Sequence, residues 1–152
     1  YQAALNGLQR AVKADRSAVV LLDSDRVMRF KTWCGLSENY RRFTEAHSPW
    51  LSACHSLQPI CISDVQELQI SDLRLQILNN KINAEFSALI ERISETSIQS
   101  EISNLKCAIL SEGIRALAFI PLVYQEKLMG KFMLYYNTPH QFSEEEIQLA
   151  QT

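Results

Sequence analysis

Apolar residues at Ala3, Ala4, Leu5, Leu8, Ala11 and Val12 recur at helical spacing and predict a helix over 2–14. The run Ala18–Leu22 is rich in branched apolar residues and gives way to Asp23-Ser24-Asp25, a strand followed by a turn. Val27 to Trp33 alternates apolar and polar, as a half-buried partner strand does, so 18–33 reads as a hairpin with Asp23–Arg26 at its tip. Residues 37–57 read as helical in two pieces parted near Ser48-Pro49, because proline lacks the donor N–H. Pro59 to Ile62 is a short apolar strand ended by Ser63-Asp64. From Leu75 to Ile93 the apolar positions 75, 78, 82, 86, 89 and 93 form one stripe on a long helix. A break follows at Ser94–Ser97. The period resumes at Ile98, Ile102, Leu105 and Ile109, with Gly113 as the stop. Residues 116–124 predict a strand, Gln125-Glu126-Lys127 a turn, and Leu128–Tyr136 a further strand interrupted by Gly130. Ser143 followed by Glu144, Glu145 and Glu146 starts a last helix, with a hydroxyl cap and acids at the positive end of the dipole. Hairpin-linked strands with helices interspersed give an α+β fold built on an antiparallel sheet.

The length, 152 residues, fits one domain spanning 1–152. Lys and Arg number 15 against 17 Asp and Glu, a net charge of −2. That balance argues against a nucleic-acid groove, which needs clustered positive charge, and against direct contact with a membrane surface. Apolar runs are far shorter than the roughly 20 residues that cross a bilayer. The chain opens Tyr-Gln-Ala-Ala with no initiator Met and no signal peptide, as a fragment cut from a larger protein would. Cys34, Cys54, Cys61 and Cys107 form no C-x-x-C pair, and read as reduced thiols of a cytoplasmic protein.

Four phrases in order resemble the GAF family: Ala14–Asp23; Gln58–Val65; Ser111–Leu122; and Lys127–Tyr136 followed by Phe142-Ser143-Glu144-Glu145-Glu146. The resemblance covers nearly the whole chain except about 68–103. It implies a central antiparallel sheet of five or six strands, terminal helices on one face, and pocket elements on the other. The stretch around 68–103 is then an extended helical insertion, longer than usual, that either encloses the pocket or fills it. The implied role is a non-catalytic, small-molecule-sensing and signal-relay domain of a bacterial signal-transduction protein such as a sensor histidine kinase or response regulator, pairing as a homodimer through its terminal helices. Two other readings stay open: a ligandless dimerisation and spacer module, and a thiol-dependent enzyme similar to the branch of this fold that reduces free methionine sulfoxide.

Candidate ligand contacts are the aromatics Trp33, Tyr40, Trp50 and Phe119, with Asp64 at the exit of the central strand and Arg115 before the next. The ligand itself is not identified. A covalent bilin is not expected: Cys54-His55 precedes the strand that the bilin cysteine follows in the family, and Cys107 is followed by Ala108 instead of histidine. Cyclic nucleotide is disfavoured as well. Asn137 and Phe142 match that branch, but Thr138 replaces its lysine, Glu146 its aspartate and Ile147 its glutamate, so the lysine–aspartate pair is lost. No metal site or catalytic group stands out. His47, His55 and His140 lack ligand spacing, and there is no glycine-rich phosphate loop.

Overall fold

The computed structural model describes residues 1–25, 27–47, 58–68 and 95–151. Its elements are α1 (Gln2–Ala11), β1 (Arg16–Leu22), β2 (Met28–Cys34), α2 (Glu38–His47), β3 (Ile60–Ile62), α3 (Glu95–Ser111), β4 (Ala116–Tyr124), β5 (Lys127–Tyr136) and α4 (Glu144–Gln151). The five strands form one antiparallel sheet in the order β2-β1-β5-β4-β3. The α+β expectation therefore holds, with five strands and four helices among the described residues. The expected second helical piece of 37–57, from residue 48 on, and the 69–94 part of the expected helical insertion around 68–103 lie outside the described residues.

Each face of the sheet carries its own core. On one face Leu5, Val12 and Ala150 from the terminal helices pack on Val19, Ala116, Ala118, Ile120, Phe132 and Leu134. On the other, Leu105 and Ile109 of α3 and Tyr40 of α2 pack on Ala18, Val20, Leu117, Met133 and Tyr135. Two covered faces explain why β4 and β5 are apolar at nearly every position. Polar residues turned toward a helix find partners there: Ser17 Oγ donates to Gln9 Oε1 at 2.6 Å, and Thr32 Oγ1 donates to Gln2 Oε1.

The helix ends are set locally. Lys13 at φ 53° closes α1, with Lys13 N–H donating to the Arg10 carbonyl and Ala14 N–H to the Gln9 carbonyl. Gly113 at φ 83° closes α3 in the same way, through bonds to Leu110 and Ile109. Ser143 caps α4, accepting from Glu146 N–H at 3.2 Å. The β1–β2 tip is held by Arg29, which bonds both carboxylate oxygens of Asp25 and one of Asp23.

The β4–β5 turn runs through Gln125 (φ 48°) and Glu126 (φ 61°). Two left-handed residues make the turn that matches strand twist, but without the asparagine and glycine that adopt it readily. Replacing Gln125 by Asn and Glu126 by Gly together is expected to raise stability by about 1 kcal/mol. Urea unfolding of the double variant checks this, and an unchanged or lower midpoint would refute it.

Candidate functional site

The face covered by α2 and α3 has two unlike regions. One is solid: Tyr40 and Tyr135 meet edge to face, with ring centroids 5.9 Å apart and planes at 86°, beside the buried Leu105, Ile109, Ile114 and Leu117. Burial pushes both phenols well above their ordinary pKa, so neither is a ready acid or base. The other is a set of half-buried residues, Leu22, Phe30, Phe43, Leu68, Phe119 and Leu128, each packed against that cluster. Strand register places them. Ala18 and Val20 of β1 face this side, Val20 lies opposite Phe30 on β2, and Phe119 lies opposite Met133 on β5.

Lys131 lies on this same face. It sits opposite Val20 on β1 and Pro121 on β4, between Met133 and the bulge near Gly130, and is only 4% exposed. It is the one buried charged side chain among the described residues. Lysine is almost never fully buried unless it is paired, and Lys131 has a partner within the fold. The signal was present in the sequence: a lone charge in the run Gly130–Tyr136, at a position that strand alternation puts beside Met133 and Tyr135.

The six candidate residues are dispersed. Phe119 belongs to the half-buried apolar set. Tyr40 fills the solid region. Trp33, on edge strand β2 and 39% exposed, lies under the Arg41 guanidinium, whose carbon stands 3.7 Å from the ring centroid. Arg41 Nε is buried without a hydrogen-bond partner, so the ring face takes the place of an acceptor. Asp64 and Arg115 hold each other: Nη2 to Oδ2 is 2.6 Å and Nε to Oδ1 is 3.1 Å. The guanidinium holds the Asp64 carboxyl below its ordinary range. Asp64 also accepts from Gln66 N–H at 2.9 Å, and Val65 N–H donates to the Arg115 carbonyl at 2.6 Å. Together these contacts fasten the exit of β3 to the start of β4. Trp50 lies outside the described residues.

The described cysteines do not form the pair a thiol enzyme needs. Cys34 and Cys61 both turn to the terminal-helix face, but on β2 and β3, the opposite edges of the sheet. Four strand spacings separate those edges by about 19 Å, far beyond disulfide reach. Cys107 is exposed on α3, across the sheet from Cys61. Burial pushes the Cys61 thiol up to about 11, the reverse of an activated nucleophile. Cys54 lies outside the described residues. Among the described residues no cluster of three or more His, Cys, Asp or Glu could hold a metal ion. No described helix is long and apolar enough to cross a membrane.

Glu146 has a partner that the sequence did not reveal. His140 Nε2 lies 2.9 and 3.0 Å from its two oxygens, so this carboxylate is paired even though the matched lysine position holds Thr138. Its two neighbours are close in sequence, but whether a loop histidine turns inward depends on the Tyr136 ring beneath it.

A family model described as "GAF domain" matches residues 1–152. Comparison with curated proteins gives no match. Among solved structures, the chain is similar to a domain provisionally assigned to a two-component sensor histidine kinase of Sinorhizobium meliloti 1021. The identity is 34% and the TM-score 0.68, over 99% of this chain and 80% of that one. It also shares its fold with the PixJ GAF domain of Thermosynechococcus elongatus in its blue-light-absorbing form (15% identity, TM-score 0.57, 99% of this chain and 78% of that one). A third likeness is to the GAF domain region of a provisionally assigned membrane protein of Geobacter sulfurreducens PCA (18%, 0.58, 98% and 87%).

Proposed function

The chain belongs to the GAF domain family, and from that premise we propose that it senses a small molecule on the α2/α3 face of its sheet and relays occupancy through α1 and α4. The parent would be a bacterial signal-transduction protein such as a sensor histidine kinase, with this domain non-catalytic and in the cytoplasm. The observation that carries the reading is the half-buried apolar set of Leu22, Phe30, Phe43, Leu68, Phe119 and Leu128 beside a buried lysine. Ligand sites combine an apolar lining with a few polar groups that fix orientation. Lys131 is the charged group on this face: its ammonium carries three donors and already has a partner within the fold, which a ligand would share.

Relay needs an element that both states bias. The terminal helices suit this role because they pack on the back of the same strands, so a shift of β4 or β5 reaches Ala150 and Leu5 directly. Leu149 on α4 is 49% exposed and would pair with a second copy. The solid Tyr40–Tyr135 region favours the second reading, a ligandless spacer, because it already fills part of the face.

Native mass spectrometry of the purified domain, with an absorption spectrum of the same sample, tests the choice. A retained small molecule is expected in the wild type and at no more than about one tenth of that occupancy in Lys131→Met, since losing one charged contact costs about 1.5–3 kcal/mol. A clean apo mass from the wild type, unchanged after addition of a metabolite mixture, would favour the spacer.

A further inference from the structure

One cluster on the terminal-helix side joins four segments. The His140 ring lies parallel to Tyr136, with centroids 3.8 Å apart and planes 4° apart, and Phe142 meets it edge on at 4.8 Å. Its Nε2 faces both carboxylate oxygens of Glu146 on α4. The Tyr136 hydroxyl reaches the same carboxylate, and lies 3.1 Å from the Val12 carbonyl at the end of α1. The His140 backbone N–H donates to the Ser63 carbonyl at the exit of β3, at 3.0 Å. Glu146 therefore does not turn back to the backbone at the start of its own helix. It ties that helix to the sheet.

We propose that His140 is a proton-operated latch: protonation of its ring tightens the hold on Glu146 and fixes α4 against the sheet, and loss of the proton at higher pH loosens it. The inference rests on the reading that the terminal helices carry the output, but on no ligand. The chemistry is a change in bond type. A neutral imidazole donates one hydrogen bond to the carboxylate, whereas an imidazolium adds an ion pair to it. Imidazole ordinarily changes charge between about pH 5 and 8. The side chains are 28% and 13% exposed, so the pair is partly shielded from solvent screening while the ring stays within reach of protons.

The other titratable groups facing the cluster are Tyr136 on β5, Cys61 on β3, Asp15 before β1 and Glu146 itself. Burial, then Glu146, pushes the Tyr136 phenol far up, and Cys61 stands at about 11. The sign follows from the charge: the contact is stronger with the ring protonated than with it neutral.

The test pairs an NMR titration of the His140 ring with amide exchange of residues 144–151, corrected for intrinsic rates, between pH 5.5 and 8. In the wild type, protection of α4 is expected to be about fivefold greater at the acid end and to follow the ring's own midpoint. In His140→Gln, which keeps a donor but has no titrating proton, the difference should vanish. Glu146→Gln keeps one acceptor oxygen for the ring without the charge and should abolish it too. Flat protection in the wild type while the ring titrates overturns the latch, as does a pH response that survives in either folded variant. Because the readout is α4 itself, a response in a protein that binds no small molecule leaves the latch standing and removes the sensing reading alone.

Discussion

Gly130→Ala is expected to lose about 3 kcal/mol of stability, a large share of the roughly 5–15 kcal/mol that holds a domain folded. The cause is steric. Gly130 lies on the central strand β5, opposite Leu21 on β1 and Leu122 on β4. A Cβ there would stand 2.8 Å from Leu21 Cδ2, 2.9 Å from Leu21 Cα, and closer still to the Val20 carbonyl oxygen. Two of those three atoms are backbone, and β4 on the other side denies the strand room to retreat. Glycine is required here for close approach, since its φ is not among the left-handed ones. Urea unfolding followed by circular dichroism measures the loss. A midpoint equal to that of the wild type would show that the sheet opens at this point at little cost.

Glu112→Ala is expected to cost about 2 kcal/mol, more than an ordinary surface charge, because one carboxylate serves three segments. Glu112 directly follows α3. It accepts from Ser37 N–H and Ser37 Oγ, each at 2.7 Å, and from Arg16 Nη1 at 3.2 Å. Ser37 in turn caps α2 by accepting from Tyr40 N–H, and Arg16 bonds the Gly35 carbonyl and Asn137 Oδ1. Removing the carboxylate leaves the Ser37 N–H and one arm of Arg16 without this acceptor, at a site where the carboxylate side chain is only 11% exposed. Glu112→Gln keeps an acceptor and should lose about half as much. A double-mutant cycle with Arg16→Met isolates the pair, with an expected coupling of about 1 kcal/mol. Additive losses would mean that Glu112 acts through Ser37 alone.

Much of the fold was legible because its signals are local. Gly113 stops α3 where a left-handed residue is needed, and Ser143 caps α4 with its own hydroxyl. The hairpin of β1 and β2 follows from Ala18–Leu22, the polar tip and the alternation after it. The candidate site was less legible. By residue type Asp64 and Arg115 suggest separate ligand contacts, yet they bind each other across 51 positions of sequence. Tyr40 suggests a ligand surface, yet it fills the core against Tyr135. Aromatic and charged residue types mark sites and cores alike, and only their neighbours tell the two apart.

By itself the sequence determined the order of the described elements, where the best-marked ones end, and the family. Each of these is written in periodicity, caps and turn residues that act over a few positions. The tertiary structure alone decided which way β4 faces. Ala116, Ala118 and Ile120 turn to the terminal helices, while Leu117 and Phe119 turn to the other core. A strand buried on both sides has no polar residue to mark its outer face, so its register is set by the strands it pairs with. The same holds for Lys131, Gly130, and the pairs of Arg16 with Glu112 and His140 with Glu146. Their roles arise from backbone approach and from partners that the fold brings together.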